Sequence, residues 1–313
     1  MDTTNHIKLG KTDLTISSIG LGTMQWGDVL VPQNAGSRLD PVVQAIYQTS
    51  LEMGITFFDT AELYGSGRSE RHLGMNLHGK SENLVIATKF MPFPWRLTKG
   101  ELKTALIKSL TRLGLKRVEL YQMHWPFPPL PIKAWMDAMA DVVAEGLVQA
   151  VGVSNYSAQQ TEMAQNTLAH HRIPLASNQV RYSLLDRRPE KGGLVEYCKQ
   201  SGITIIAYSP LEKGILTGKF SPDNLPTGFR AWRYNRTFLM KIEPLMHELR
   251  EIGIKHDGKS PGQVSLNWLV AKGAVPIPGA RSVAQAKENA GAMGWMLTAE
   301  EVEKLDRASQ TYL

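Results

Sequence analysis

Cysteine is nearly absent: the 313-residue chain has one, Cys198. No internal disulfide is therefore possible, and no Cys/His group has the spacing of a zinc site, so no metal is expected. Cys198 falls in a helical pattern, Leu194–Gln200, and reads as a buried structural thiol. No apolar run approaches the ~18 residues that cross a membrane. The first ten residues are polar and lack the apolar block of a secretory leader. These absences set the expectation of a reducing compartment, by default the cytoplasm, and of no membrane association. Charge of one sign is not segregated either. There are 35 Lys+Arg against 29 Asp+Glu, a net charge of +6. The densest basic runs, 8–11 and 181–191, are broken by acids, glycine or apolar residues. A dispersed excess argues against nucleic acid and suits a small anionic ligand. The dinucleotide fingerprint G-x-G-x-x-G is also missing. Gly20-Leu-Gly22 begins it, but Gln25 stands where the third glycine belongs. Nothing resembles a Ser-His-Asp elbow or a paired-carboxylate glycosidase site.

The chain does have ample core. Hydrophobic residues make up 42% and charged residues 20%, which argues against disorder. Short apolar runs recur: Ser18–Thr23, Thr56–Thr60, Leu84–Phe90, Val118–His124, Val148–Ser154, Leu175–Val180, Ile203–Ser209 and Val275–Gly279. Continuous apolar strands suit a parallel sheet buried on both faces. Helical patterns intervene at Pro41–Met53, Lys99–Leu113, Ile132–Glu145, Ser157–His171, Leu194–Ser201, Pro261–Lys272 and Val283–Gly291. Thr98 and Glu101 have the spacing of a capping box, and Ser260-Pro261 and Ser282 mark two further helix starts. Successive strand ends lie about 30 residues apart, the size of one βαβ unit. Eight such units without a break predict a single α/β domain over 1–313, a closed (β/α)8 TIM barrel; a doubly wound sheet is the alternative. His6–Ser17, turning at Gly10, predicts a β-hairpin that plugs the barrel floor. The long stretch Leu211–Gly258 predicts a loop plus an extra helix, Phe238–Ile252, after strand seven. Leu297–Leu313 predicts a C-terminal helix capped at Thr298.

Active sites of such barrels gather at the C-terminal ends of the strands. Strands two, three and four end here in Asp59, Lys89 and His124, and Tyr64 follows in a glycine-containing loop. Singly, an Asp after a strand is a turn cap and a Tyr is structural. Together they form a coherent proton-donor site. A phenol titrates near 10 in water, and a neighbouring ammonium favours its ionised form, which predicts a lowered value for Tyr64.

At these residues the sequence resembles the aldo-keto reductases. The matching segments are Gly20-Leu-Gly-Thr-Met24, Phe58-Asp-Thr-Ala-Glu-Leu-Tyr-Gly65, Ala87-Thr-Lys89, Gln122-Met-His-Trp-Pro126, Val151-Gly-Val-Ser-Asn155, Asn178-Gln179, Ala207-Tyr-Ser-Pro-Leu211 and Ile277-Pro-Gly-Ala-Arg281. They span almost the whole chain in family order. The resemblance implies a catalytic tetrad of Asp59, Tyr64, Lys89 and His124. It implies hydride transfer from reduced nicotinamide to a carbonyl carbon, with Tyr64 as proton donor, Asp59 fixing Lys89, and His124 orienting the carbonyl. It places the cofactor across the barrel mouth. Gly22, Thr23 and Met24 would border it; Ser154, Asn155 and Gln179 would bind the carboxamide, and Tyr208 would stack on the ring. Ser209, Leu211, Gly214 and Lys219 would flank the pyrophosphate. Gly279, Arg281, Ser282, Gln285, Glu288 and Asn289 would hold the adenosine end. Arg281 and Ser282 favour a 2′-phosphate and hence NADPH, although many family members carry lysine where Gly279 stands.

Trp26, Trp95, Trp125 and Trp232 fall in loops after strands and would wall an apolar pocket for a small carbonyl substrate. The branch resembles bacterial and plastid reductases that include pyridoxal reductases, which implies a planar aldehyde such as pyridoxal. The same fold also serves non-enzymatic, cofactor-sensing regulatory subunits of membrane channels, the alternative function. No heptad or apolar stripe specifies an oligomeric state.

Overall fold

The structure is a computed structural model that describes residues 5–27, 40–79, 83–228 and 232–310. An antiparallel hairpin opens the fold, β1 (His6–Lys8) with β2 (Thr15–Ser17). Eight parallel strands follow as one sheet in chain order: β3 (Leu21–Gly22), β4 (Phe57–Asp59), β5 (Val85–Phe90), β6 (Val118–Met123), β7 (Val148–Ser154), β8 (Leu175–Arg181), β9 (Thr204–Tyr208) and β10 (Ala274–Pro276). A parallel bridge from Gly22 to Gly279 joins the first to the last. The N–H groups of Gly20 and Gly22 donate to Pro276 and Pro278 at 3.0 and 3.1 Å, so the ring closes as a (β/α)8 barrel.

Alternation along each strand sends one set of residues inward. Phe57, Val85, Ala87, Leu120, Ala150, Ile206, Val275 and Ile277 fill the interior. Leu9, Leu14 and Ile16 of the hairpin complete that cluster and close the floor. Each fully buried Val, Leu, Ile or Phe among them contributes about 1.5–3 kcal/mol. Gly10 makes the plug possible: it turns at φ 57°, and a Cβ there would lie 2.5 Å from the Ala176 carbonyl oxygen. With the floor sealed, the mouth at the strands' C-terminal ends is left for chemistry.

One irregularity aims a side chain. Val151 pairs with Leu175, yet Gly152 pairs with Ser177, so Ala176 is an extra residue in β8. A bulge shifts the alternation by one. Leu175 joins the outer core, whereas Gln179, four residues on, turns inward to reach Asp59.

The expected helices form, with ends that match or shift by up to three residues. Asp40 caps Pro41–Glu52, and full capping boxes on Ser157 and Ser260 open Ala158–His170 and Pro261–Ala271. Ser282 caps Val283–Ala290. The expected box on Thr98 does not form: Lys99 takes the cap position in αR geometry, and Glu101 N–H reaches the Thr98 backbone carbonyl at 3.2 Å instead. The helix after strand seven runs Arg236–Lys255. The C-terminal helix runs Ala299–Gln310; the last three residues of its predicted span lie outside the described residues. A helix not expected from the sequence, Arg68–Leu77, joins β4 to β5. It starts at Gly67 (φ 84°) without a side-chain cap, so it carries no N-terminal signal. Among the described residues no helix is long and apolar enough to cross a membrane.

Candidate active site

Asp59 ends β4, Lys89 is the penultimate residue of β5 and His124 directly follows β6, and the loop after β4 returns Tyr64 to Lys89. Lys89 is fully buried. Its ammonium donates to Asp59 Oδ2 at 2.6 Å, to the Thr60 carbonyl at 2.8 Å and to Tyr64 Oη at 3.2 Å. All three of its protons are thus spoken for. Asp59, 1% exposed, also accepts at Oδ1 from Gln179 Nε2 at 2.7 Å and Gln122 Nε2 at 3.2 Å. A buried ion pair holds only when the remaining polar atoms are satisfied, and here they are.

The electrostatics follow from burial. Burial alone would lower the Lys89 pKa, but Asp59 and Tyr64 together outweigh it and the ammonium is held above its usual range. For Tyr64 the balance differs from the expected lowering. Burial raises its phenol above 10, and the opposing pull of Lys89 does not overcome it, since Asp59 pushes the same way as burial. Tyr64 is therefore a neutral phenol near neutrality, the state a proton donor requires. The His124 imidazole is pushed down to about 3, first by burial and then by Lys89. It stays uncharged at physiological pH, with one N–H to offer. Its ring meets the Tyr64 ring edge-on at 5.9 Å and 84°. Its Nδ1 has no partner among the described residues. The backbone N–H of His124 donates to Phe90 at 2.9 Å, which fixes the strand end.

The residues expected at the cofactor form a belt around the tetrad. Ser154 Oγ donates to the Gln179 carbonyl at 2.8 Å. Asn155 (φ 63°) donates to the His124 carbonyl at 3.1 Å and accepts from Tyr208 Oη at 3.0 Å. Gly22 and Gly279 lie side by side, and the Gln25 side chain packs on Gly279, where a Cβ would lie 2.1 Å from its Oε1. Thr23 is buried and bonds the Asp59 carbonyl and Ser69 Oγ, so it fastens the site, while Met24 is exposed.

Beyond β9, Ser209, Glu212, Lys213 and Gly214 all have positive φ, and Leu211 lies among them half-buried. A Cβ on Gly214 would come within 3.1 Å of Lys219 Cε, so that lysine crosses the turn. A cation over successive turned backbone units is a cradle for an anion. Arg281, Gln285 and Glu288 are exposed around the Ser282-capped helix start. Gln285 accepts from the Arg281 N–H at 2.7 Å, and Asn289 donates to the Gly279 carbonyl at 3.3 Å. Glu288 accepts from the Ser260 hydroxyl, which turns its carboxylate toward the neighbouring helix. The set fits a dinucleotide: amide and phenol groups beside the tetrad, an anion cradle next along the rim, and a helix N-terminus beside an arginine at its end.

The four tryptophans divide. Trp125 is half-buried beside His124 and stacks on Phe127 at 5.1 Å and 7°. Trp95 is 70% exposed and stacks on Phe93 at 4.5 Å and 7°. Trp232 is 83% exposed. Trp26 is 3% exposed and packs in the outer core with Leu21 and Val43.

Three polar residues outside the expected set take part. Gln122 is an inward-facing amide two positions before His124, a polar break in an apolar strand. Glu62 bridges the β4 loop to Arg96. Glu212 anchors the cradle loop through Arg181 (2.5 Å), Tyr234 (3.0 Å) and Ser183 (3.3 Å).

Comparison with known proteins agrees with this geometry. Residues 18–310 match the model of the Aldo/keto reductase family. The chain is 41% identical to the chloroplastic pyridoxal reductase of Arabidopsis thaliana, over 97% of this chain and 86% of that one. It is 32% identical to an NADP(+) aldo-keto reductase of Schizosaccharomyces pombe, over 94% and 88%. A crystal structure of a thermostable aldo-keto reductase in complex with epalrestat superposes with a TM-score of 0.79 at 33% identity, covering 97% and 99%.

Proposed function

Starting from the fact that the chain belongs to the aldo/keto reductase family, an oxidoreductase family, we propose that it uses NADPH to reduce an aldehyde to an alcohol, with Tyr64 as the proton donor. The observation that carries this reading is the Lys89 ammonium bonded at once to Asp59 and to Tyr64 Oη. The bound cofactor supplies a hydride, and hence both electrons, to the carbonyl carbon. The chain's own residues do the rest. His124, neutral, donates its N–H to the carbonyl oxygen and holds it beside Tyr64 Oη. Tyr64 releases its proton to that oxygen as negative charge develops there. Lys89 stabilises the phenolate left behind, and Asp59 keeps Lys89 charged and in place. Solvent then returns the proton to Tyr64.

Asn155, Ser154 and Tyr208 would hold the nicotinamide end, the 209–219 loop the pyrophosphate, and Arg281 with Ser282 the 2′-phosphate. The relative named as an NADP(+) enzyme supports this choice of cofactor. Pyridoxal is the substrate we propose. It is a planar aldehyde that suits walls of stacked aromatic rings, and the 41%-identical relative is a pyridoxal reductase. The test is oxidation of NADPH on adding pyridoxal, followed by absorbance. Tight NADPH binding without turnover of any aldehyde would instead favour a cofactor-sensing regulatory role.

A further inference from the structure

Glu62 lies between Asp59 and Tyr64 on the loop that carries the proton donor. Its carboxylate accepts from Arg96 Nη1 at 2.5 Å, from Arg96 Nη2 at 3.0 Å and from the Met91 backbone N–H at 2.7 Å. Arg96 Nη1 also donates to the Met91 carbonyl at 2.8 Å. The two side chains are only 10% and 14% exposed, so the forked pair is largely desolvated. The Arg96 guanidinium in turn covers the rings of Phe90 at 4.6 Å and Phe93 at 5.3 Å. Phe93 stacks on Trp95, which is 70% exposed on the loop that follows the C-terminal end of β5. One run of contacts thus leads from the turn bearing Tyr64, through Glu62 and Arg96, to the aromatic wall of the β5 loop.

The loop carrying Tyr64 is already fixed on its inner side by Lys89 on the Thr60 carbonyl and by Thr60 Oγ1 on Ser69. The β5 loop holds Pro92 and Pro94, which stiffen it but supply no backbone N–H for anchoring. Its attachment to the Tyr64 loop therefore rests on the Glu62–Arg96 fork and the Met91 N–H bond to Glu62, while Arg96 on the Met91 carbonyl closes the loop on itself. We propose that Glu62 and Arg96 are positioning residues that set substrate selectivity, by holding the Phe93–Trp95 wall at a fixed distance from Tyr64. This rests on the reductase reading. Planar aromatic aldehydes need the wall at its set distance. Small aliphatic aldehydes reach Tyr64 and His124 without touching it.

The test compares wild type, Arg96→Ala and Arg96→Lys with NADPH and two aldehydes, 2-naphthaldehyde and propanal. Lysine keeps the charge and loses the fork, and it guards against a folding failure of the alanine variant. The expected result is a KM for naphthaldehyde raised about 10-fold in Arg96→Ala and by an intermediate factor in Arg96→Lys, the scale of one lost interaction of ~1.4 kcal/mol. The kcat for propanal and the NADPH Kd, read by fluorescence, should stay within about twofold. Amide hydrogen exchange should quicken in 91–97 and not in the strands. An equal loss on both aldehydes, or unchanged exchange in 91–97, would overturn the proposal. If the wild type reduces neither aldehyde, the reductase reading fails and the selectivity claim with it. The exchange result then still decides whether the fork holds the wall.

Discussion

Gln179 donates to Asp59 at 2.7 Å although 120 positions separate them in the chain. The contact depends on the extra residue Ala176, which turns Gln179 into the barrel. It makes Gln179, one of the residues expected at the cofactor, a support of the buried carboxylate.

Replacing Gln179 by Leu keeps the volume and removes that donor. Loss of a hydrogen bond to a charged group costs about 1.5–3 kcal/mol. Gln179→Leu is expected to lower stability by that amount in urea unfolding and kcat by about 10-fold. Unchanged stability would mean that Gln122 and Lys89 suffice to hold Asp59.

Lys89→Met strands Asp59 as an uncompensated buried charge. Breaking such a pair costs roughly 3–5 kcal/mol. It also removes the partner of Tyr64, so kcat should fall by about 10²–10⁴. Denaturant melts and turnover measure the two effects separately. The double variant Asp59→Asn/Lys89→Met should recover stability without recovering activity.

His124 gives a pH signature. Its folded value is about 3, against an ordinary 6.5. Between those values the unfolded chain binds a proton that the folded chain does not, so stability falls as pH drops from 6.5 toward 3. His124→Gln should flatten that slope in melts between pH 7 and 4. An unchanged slope would show that other groups produce it. The kcat profile should lack a histidine limb between pH 5 and 8.

Arg281→Ala should raise the KM for NADPH about 10- to 100-fold and leave that for NADH nearly unchanged, as expected for loss of a charge-assisted phosphate contact. Equal effects on both cofactors would remove the 2′-phosphate from the account.

The strands, and the gathering of Asp59, Tyr64, Lys89 and His124 at their ends, were legible in the sequence because parallel strands buried on both faces read as apolar runs, and the polar residues at their ends stand out. Asp59, Lys89 and His124 interrupt otherwise apolar segments. Other features depend on three-dimensional context. The bulge at Ala176 has no local signature, because an alanine fits a regular strand equally well. The helix Arg68–Leu77 starts at a glycine and carries mostly polar residues, so neither cap nor apolar stripe announces it. Thr98 had the right spacing for a cap, yet the helix starts one residue later, at Gly100, with Lys99 in the cap position. Trp26 lay in a strand-end loop, as a pocket residue would, but its large apolar surface was taken up by the outer core. The rise in the Tyr64 pKa was missed for a related reason: spacing shows that Lys89 is near, and only the fold shows how much water is lost.

Tyr64 is the point on which the account turns. The most direct measurement follows NADPH absorbance with pyridoxal in the wild type and in Tyr64→Phe, with NADPH binding checked by fluorescence. The expected result is steady turnover in the wild type, a fall of about 10²–10⁴ in the variant and the same cofactor affinity in both. Comparable turnover in Tyr64→Phe would contradict it, since the proton would then come from another group.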